Sequence, residues 1–312
     1  MKTDAVTPAD LARSVIAVPP LARAGNGAVS VAENRKIVDW MSAGGVSTFL
    51  YGGNANFYNL GLLEYPLTLE VLSGITPTGA WMIPSIGPDF GKALDQVAIL
   101  KSFEFPTAMA LPMASATRPA GVATGLRRLA DAYQKPVIAY LRSETYLTVA
   151  DIAALLADGV LCSVKYAVDR KDPAEDATLA AIVDAAGTER VVSGMGERPA
   201  VVHLTKFGLA GFTSGSVSIA PRLSMAMLAA LKAGDGAAAE AIRAKFLAFE
   251  DIRDAHSQIA VLHDGVRLAG IADTGPLQPF LANLDADQLG AVGATATALR
   301  EENARFTRRA AA

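Results

Sequence analysis

Lys165 closes a short apolar run, GVLCSVK (159–165). Beside Val160, Leu161 and Val164 a primary amine loses hydration, and desolvation disfavours its charged form. The neutral amine that results is a nucleophile toward a carbonyl carbon. The competing reading is a strand-end lysine ion-paired to a carboxylate, and position alone leaves both open. Tyr140 stands near the end of the preceding run, PVIAYL (136–141). Neighbouring parallel strands lie about 4.8 Å apart, so the two side chains can meet across one strand gap. A phenol beside an imine can shuttle protons; a core tyrosine with one hydrogen bond is the plainer role.

Three glycine-containing turns supply the other candidate groups. In YGGNANFYNL (51–60), Gly52 and Gly53 let backbone amides approach a ligand, and Asn54 and Asn56 carry side-chain donors. That combination suits a carboxylate, although a plain tight turn needs the same glycines. SGMGE (193–197) and TSGSVS (213–218) follow later runs and offer either a phosphate site or room for substrate. GPDFGKA (87–93) lacks the spacing and the Ser/Thr of a nucleotide-binding P-loop. Ser214 and Ser216 have no plausible His–Asp partners, because the histidines are at 203, 256 and 263 alone. His256 and His263 lie seven apart on one predicted helix, which reads as a polar face or interface; a metal would need a third ligand, so none is expected.

These groups need a scaffold that brings strand ends together. Eight apolar runs, at 13–18, 46–51, 80–85, 107–111, 136–141, 159–165, 190–194 and 208–213, are nearly continuous in hydrophobicity. Strands buried on both faces of a parallel sheet read that way. Helical stretches lie between them. Residues 30–43 open with Ser30 and Glu33 at capping-box spacing, and 148–157 with Thr148 and Asp151. Residues 88–102, 119–134 and 173–187 open with prolines, favoured in a first helical turn; 197–206 fills the last gap. The pattern predicts a single α/β domain, a (β/α)8 TIM barrel over 1–222. Residues 217–233, 235–264 and 285–309 read as helices, so 223–312 is expected to be a C-terminal helical region packed on the barrel. An open doubly wound sheet is the competitor, but no G-x-G-x-x-G follows the first strand.

Composition agrees with a globular protein. The chain has 312 residues, 51% hydrophobic and 19% charged, enough apolar material for a large core. A net charge of −3 and no basic stripe argue against nucleic acid. No apolar stretch reaches the ~18 residues of a membrane span, and the acidic, proline-containing N-terminus does not read as a signal peptide. The lone Cys162 excludes an internal disulfide, in keeping with a cytoplasmic protein.

In order and spacing, GVSTFLYGGNANFYNL (45–60), KPVIAYL (135–141), GVLCSVKYA (159–167), VVSGMGE (191–197) and GLAGFTSGSVSIAP (208–221) resemble the dihydrodipicolinate synthase/N-acetylneuraminate lyase family of class I aldolases. The resemblance spans roughly 12–285. It implies that Lys165 forms an imine with pyruvate or another 2-oxo acid and that Tyr140 carries protons. The family's G-T-T-G-E turn, which holds the substrate carboxylate, reads Gly52-Gly53-Asn54-Ala55-Asn56 here, so Gly53 and Asn54 take that place. Thr213 and Gly194 fall on site-lining positions. The family's P-Y-Y turn reads Pro112-Met113-Ala114, its Y-N reads Tyr140-Leu141, and its substrate-binding arginine is replaced near Thr145. An interface tyrosine is thereby lost, with Tyr58, Tyr146 and Tyr166 as the remaining stand-ins, each also readable as structural.

The resemblance implies a lyase, aldolase or dehydratase acting on a small 2-oxo acid, sugar-derived or related, in a cytoplasmic homo-oligomer, a dimer or tetramer. It needs no cofactor. The alternatives are a non-catalytic or regulatory 2-oxo-acid-binding barrel, and a barrel enzyme binding a phosphorylated sugar through the turns at 194–196 and 213–216.

Overall fold

A computed structural model describes residues 1–310, with 307–310 described by backbone alone. Its strands are β1 (Ile16–Ala17), β2 (Thr48–Leu50), β3 (Trp81–Ile83), β4 (Ser85–Ile86), β5 (Met109–Ala110), β6 (Val137–Leu141), β7 (Leu161–Tyr166), β8 (Val191–Ser193) and β9 (Gly211–Ser214). All pair in parallel, in the order β3-β2-β1-β9-β8-β7-β6-β5-β4. The third apolar run supplies both β3 and β4, split at Pro84, which has no N–H for a ladder. Ile83 O accepts from Tyr51 N and Pro84 O from Met109 N, each at 2.9 Å, so this one run joins the two ends of the sheet. The sheet is a nearly closed barrel, a TIM barrel with a C-terminal helical extension.

Helix α1 (Pro8–Arg13) precedes the barrel. Then α2 (Val31–Ala43), α3 (Tyr65–Ile75), α4 (Phe90–Leu100), α5 (Pro119–Tyr133), α6 (Val149–Ala157), α7 (Ala177–Ala186), α8 (Glu197–Thr205) and α9 (Pro221–Lys232) follow successive strands. Their inward stripes, such as Ile37, Val38 and Met41 or Leu69 and Leu72, are buried with the strand residues Phe49, Trp81, Val164 and Phe212 in one core. Because α9 packs against both α8 and α2, it closes the outer ring. The boundary expected at 222 falls at the second residue of this helix.

Several expected helix starts shift for reasons of capping. The stretch expected from Pro88 begins instead after Asp89, whose Oδ1 accepts from Lys92 N at 2.8 Å. The stretch expected from Pro173 begins after Asp176, which accepts from Leu179 N. Ser30 caps Glu33 N as expected, but the Glu33 carboxylate turns to Lys36 and Asp273 N, so only half the capping box forms. Helix α3 was not expected from the sequence; no side chain caps its N-terminus.

The largest correction concerns 235–264. It is not one helix but α10 (Gly236–Arg243), α11 (Leu247–Ala255) and the start of α12 (Gln258–Leu268). His256 leaves helical geometry at φ −119°, ψ −99°, and Ser257 restarts the helix by accepting from Ala260 N. His256 and His263 therefore do not share a helix face. The final helix, α13 (Ala286–Ala310), packs on α12, α11 and α9.

Thr148 forms the complete capping box at α6, its hydroxyl accepting from Asp151 N at 3.1 Å while the Asp151 carboxylate accepts from Thr148 N at 3.2 Å. Thr148→Ala should lower unfolding free energy by about 1 kcal/mol. Urea denaturation followed by circular dichroism checks it.

Candidate active site

Lys165 in β7 and Tyr140 in β6 are directly paired in the parallel ladder. Register partners of neighbouring strands project to the same face, and both side chains border one cavity of about 380 Å³. The Lys165 nitrogen lies over the Tyr140 ring, 3.9 Å from its centroid. Lys165 is 4% exposed and forms no ion pair with any described residue. The strand-end lysine paired to a carboxylate is therefore not what the structure contains.

Burial, and then the charges of Arg142 and Arg253, bring the Lys165 pKa down from 10.5 to about 7. The ring face of Tyr140 favours the charged amine, but desolvation outweighs it. Burial also raises the Tyr140 hydroxyl, with Arg142 opposing. Near neutrality the site thus offers a partly neutral amine beside a protonated phenol, which can attack a carbonyl and supply a proton.

Gly53, Asn54, Gly194 and Thr213 line the same cavity. The amides of Gly53 and Asn54 have no acceptor among the described residues. Asn54 commits one side-chain N–H to Val18 O at 2.7 Å. Asn56 is not a site donor: it is buried, donates to Gln278 O and accepts from Asn59. Gly194 is required for packing. A Cβ there would meet Tyr166 O at 2.7 Å, Ala167 Cβ at 2.8 Å and Lys165 Cγ at 3.0 Å, so the glycine is what lets the lysine stem pass.

Several amides of the turns weighed as phosphate sites are engaged. Gly194 N donates to Tyr166 O, Gly196 N to Thr213 O, Glu197 N to Glu250 Oε1, and Val217 N to Ser214 Oγ. A carboxyl group thus already occupies the α8 N-terminus, which disfavours a phosphate there. Ser214 donates to Glu197 at 2.8 Å and Ser216 meets Arg253 at 3.4 Å, so neither contacts a histidine. His203 is held by Ser193 Oγ, and its pKa falls to about 4 through burial. His263 bonds Gly275 O at 3.0 Å. Among the described residues no group of three His, Cys, Asp or Glu side chains could hold a metal ion.

Among the cavity residues that escaped the sequence reading are Arg142, Glu250 and Arg253. Arg142 lies two positions beyond Tyr140, just past the end of β6, where a strand-end position was its only signal. Glu250 and Arg253 come from α11, beyond the barrel, and nothing local marks them. Burial, followed by the nearby Glu197 carboxylate, pushes Glu250 well above the usual carboxylate range, and burial raises Glu197 too. The pair therefore retains a proton at pH values where exposed carboxylates have lost theirs. Of the spare tyrosines, Tyr166 is spent on Asp176 at 2.7 Å. Tyr58 stands near Tyr140 and Arg142, its hydroxyl pushed up to about 12 mainly by burial. Tyr146 lines a second cavity, of about 320 Å³ between α4 and α5, which contains neither Lys165 nor Tyr140.

The sequence profile of the Dihydrodipicolinate synthetase family matches residues 112–299, more than half the chain. The chain belongs to this family. The family fold serves pyruvate-dependent class I aldolases and lyases in general. Among solved structures, a dihydrodipicolinate synthase from Bacillus clausii is 22% identical, with a TM-score of 0.76 over 92% of this chain and 98% of that one. A catalytic lysine mutant of the Ruminococcus gnavus sialic acid aldolase is 14% identical, with a TM-score of 0.83 over 95% and 98%. YagE, a prophage protein of the family from E. coli K12 in complex with pyruvate, is 17% identical, with a TM-score of 0.79 over 92% and 98%. No curated protein matches the chain. Among the described residues no helix is long and apolar enough to cross a membrane.

The Lys165 shift has a stability signature. Below pH 7 the native state bears the full penalty of a buried charge. Between about 7 and 10.5 the native amine is neutral while the unfolded chain still binds a proton, so stability rises with pH across that window. Lys165→Met should therefore be more stable than wild type at pH 6, and the difference should shrink toward pH 10. Denaturant titrations at fixed pH values read it.

Proposed function

We propose that this protein is a class I lyase, an aldolase or dehydratase, that acts on pyruvate or a sugar-derived 2-oxo acid through an imine on Lys165. The observation that carries the reading is a buried strand-end amine with no carboxylate partner, its pKa lowered to about 7, facing a cavity in this family's fold.

In this mechanism the neutral Lys165 Nζ attacks the ketone carbon of the oxo acid. The carbinolamine loses its oxygen as water, with Tyr140 giving the proton. The protonated imine then accepts the electron pair released when a bond at the adjacent carbon breaks, or stabilises the carbanion equivalent that forms a new one. Tyr140, packed against the amine, returns and removes protons at the same place. The free amides of Gly53 and Asn54 orient the carboxylate, while Gly194 and Thr213 shape the wall. Relatives named for pyruvate and for sialic acid support a 2-oxo acid as the ligand class. Assembly into a homo-oligomer, as is typical of the family, belongs to the same reading.

Incubation with pyruvate and a panel of longer 2-oxo acids, then borohydride, should leave a reduced adduct on the intact chain. It should map to Lys165 and be absent from Lys165→Ala. The trapping rate should rise as pH passes about 7, following the amine. Tyr140→Phe should keep the adduct but lower turnover by about 100-fold or more, the usual scale of general acid–base catalysis. A folded protein that yields no adduct with any acid would instead be a non-catalytic binding barrel.

A further inference from the structure

Gly215 lies just past β9, on the cavity wall. A Cβ built on it would stand 2.7 Å from Asn54 Nδ2, 3.0 Å from Arg253 Nη2 and 3.0 Å from Leu262 Cδ2. Two donors from distant parts of the chain, the turn after β2 and helix α11, thus converge on Gly215, where any side chain would collide with both.

Both donors have capacity to spare. Asn54 gives one N–H to Val18 O and retains the other. Arg253 gives Nε to Gln258 O at 3.2 Å and Nη1 to Ser216 Oγ at 3.4 Å. Its Nη2 has no acceptor among the described residues and no described carboxylate forms an ion pair with it; Glu250, Glu197 and Asp254 act on it only at longer range, and burial lowers its pKa in spite of them. Yet Arg253 is only 9% exposed. Burying a guanidinium without a close anion is costly, and buried charges are ordinarily paired. The cost is tolerable if a ligand supplies the missing anion, because a guanidinium matches a carboxylate with two parallel hydrogen bonds. The free amides of Gly53 and Asn54 border the same place.

We propose that Arg253, together with the second side-chain N–H of Asn54, is the seat of the substrate's carboxylate, and that Gly215 is a glycine so that both donors can reach it. The lost threonine hydroxyls of the turn at 52–56 are thereby replaced by a cation from a helix outside the barrel. The identity of the anion as a 2-oxo acid rests on the imine reading of Lys165; the seat itself rests on the donor geometry.

The test compares pyruvate with methyl pyruvate, the same ketone without the charge. Half-saturation of borohydride trapping is measured for wild type, Arg253→Met, Arg253→Lys and Gly215→Ala, with binding of pyruvate to Lys165→Ala and to Lys165→Ala/Arg253→Met followed by calorimetry. Arg253→Met should weaken pyruvate by about 10-fold or more while changing methyl pyruvate by less than about 3-fold, as loss of a charged hydrogen bond predicts. Arg253→Lys should fall between. Gly215→Ala keeps the charge but displaces both donors; it should show the same selectivity, and it decides the matter if Arg253→Met does not fold. Equal weakening of both ketones, or of neither, overturns the proposal. If folded wild type gives no adduct, the imine reading fails, and calorimetry judges the seat alone. Pyruvate binding that depends on Arg253 sustains it, and binding that is absent or independent of Arg253 overturns it.

Discussion

An ammonium group moved from water into a protein interior loses hydration that only a close carboxylate, or a shift to its neutral form, can offset. Lys165 has no such carboxylate and takes the second course. The rest of the site follows from that constraint. The strand pairing of β6 with β7 sets the amine on the Tyr140 ring. The absence of a side chain at Gly194 makes space for the lysine stem. Arg142 and Arg253 then add positive charge on the same cavity, which depresses the amine further.

The barrel alone does not complete this arrangement. Helix α11 contributes Glu250 and Arg253, and the break at His256–Ser257 lets α11 and α12 change direction beside the strand ends. Glu250 reaches back to the α8 N-terminus at Glu197 N, a position that in a phosphate-binding barrel would be kept free. The helical region and the barrel thus share the charges of the site: a buried carboxyl pair whose proton affinity is raised at the α8 N-terminus, and a guanidinium without an ion-pair partner beside Asn54. Such groups lower stability where they stand, as active sites commonly do.

Much of this was legible in the chain. Apolar runs buried on both faces announce parallel strands through local hydrophobicity alone, and all eight runs became strands of the barrel. The ladder rule placed Tyr140 opposite Lys165 because strand spacing is nearly constant. Gly53, Asn54, Gly194 and Thr213 reached the same cavity because strand ends converge at one mouth of a barrel. Capping was legible where one interaction dominated, at Thr148, and not where competitors existed, as at Glu33, which Lys36 and Asp273 capture.

The sequence by itself determined the strand order, the inward placement of the lysine and tyrosine, and the family, because each depends on local patterning or on spacing along neighbouring strands. Only the tertiary structure decided that 235–264 breaks into three helices, that Asn56 faces Gln278 rather than the cavity, and that Arg253 meets Asn54 across Gly215. Those contacts join residues far apart in the chain whose meeting depends on helix docking angles, and a docking angle is set by the whole packed surface rather than by any segment's own residues.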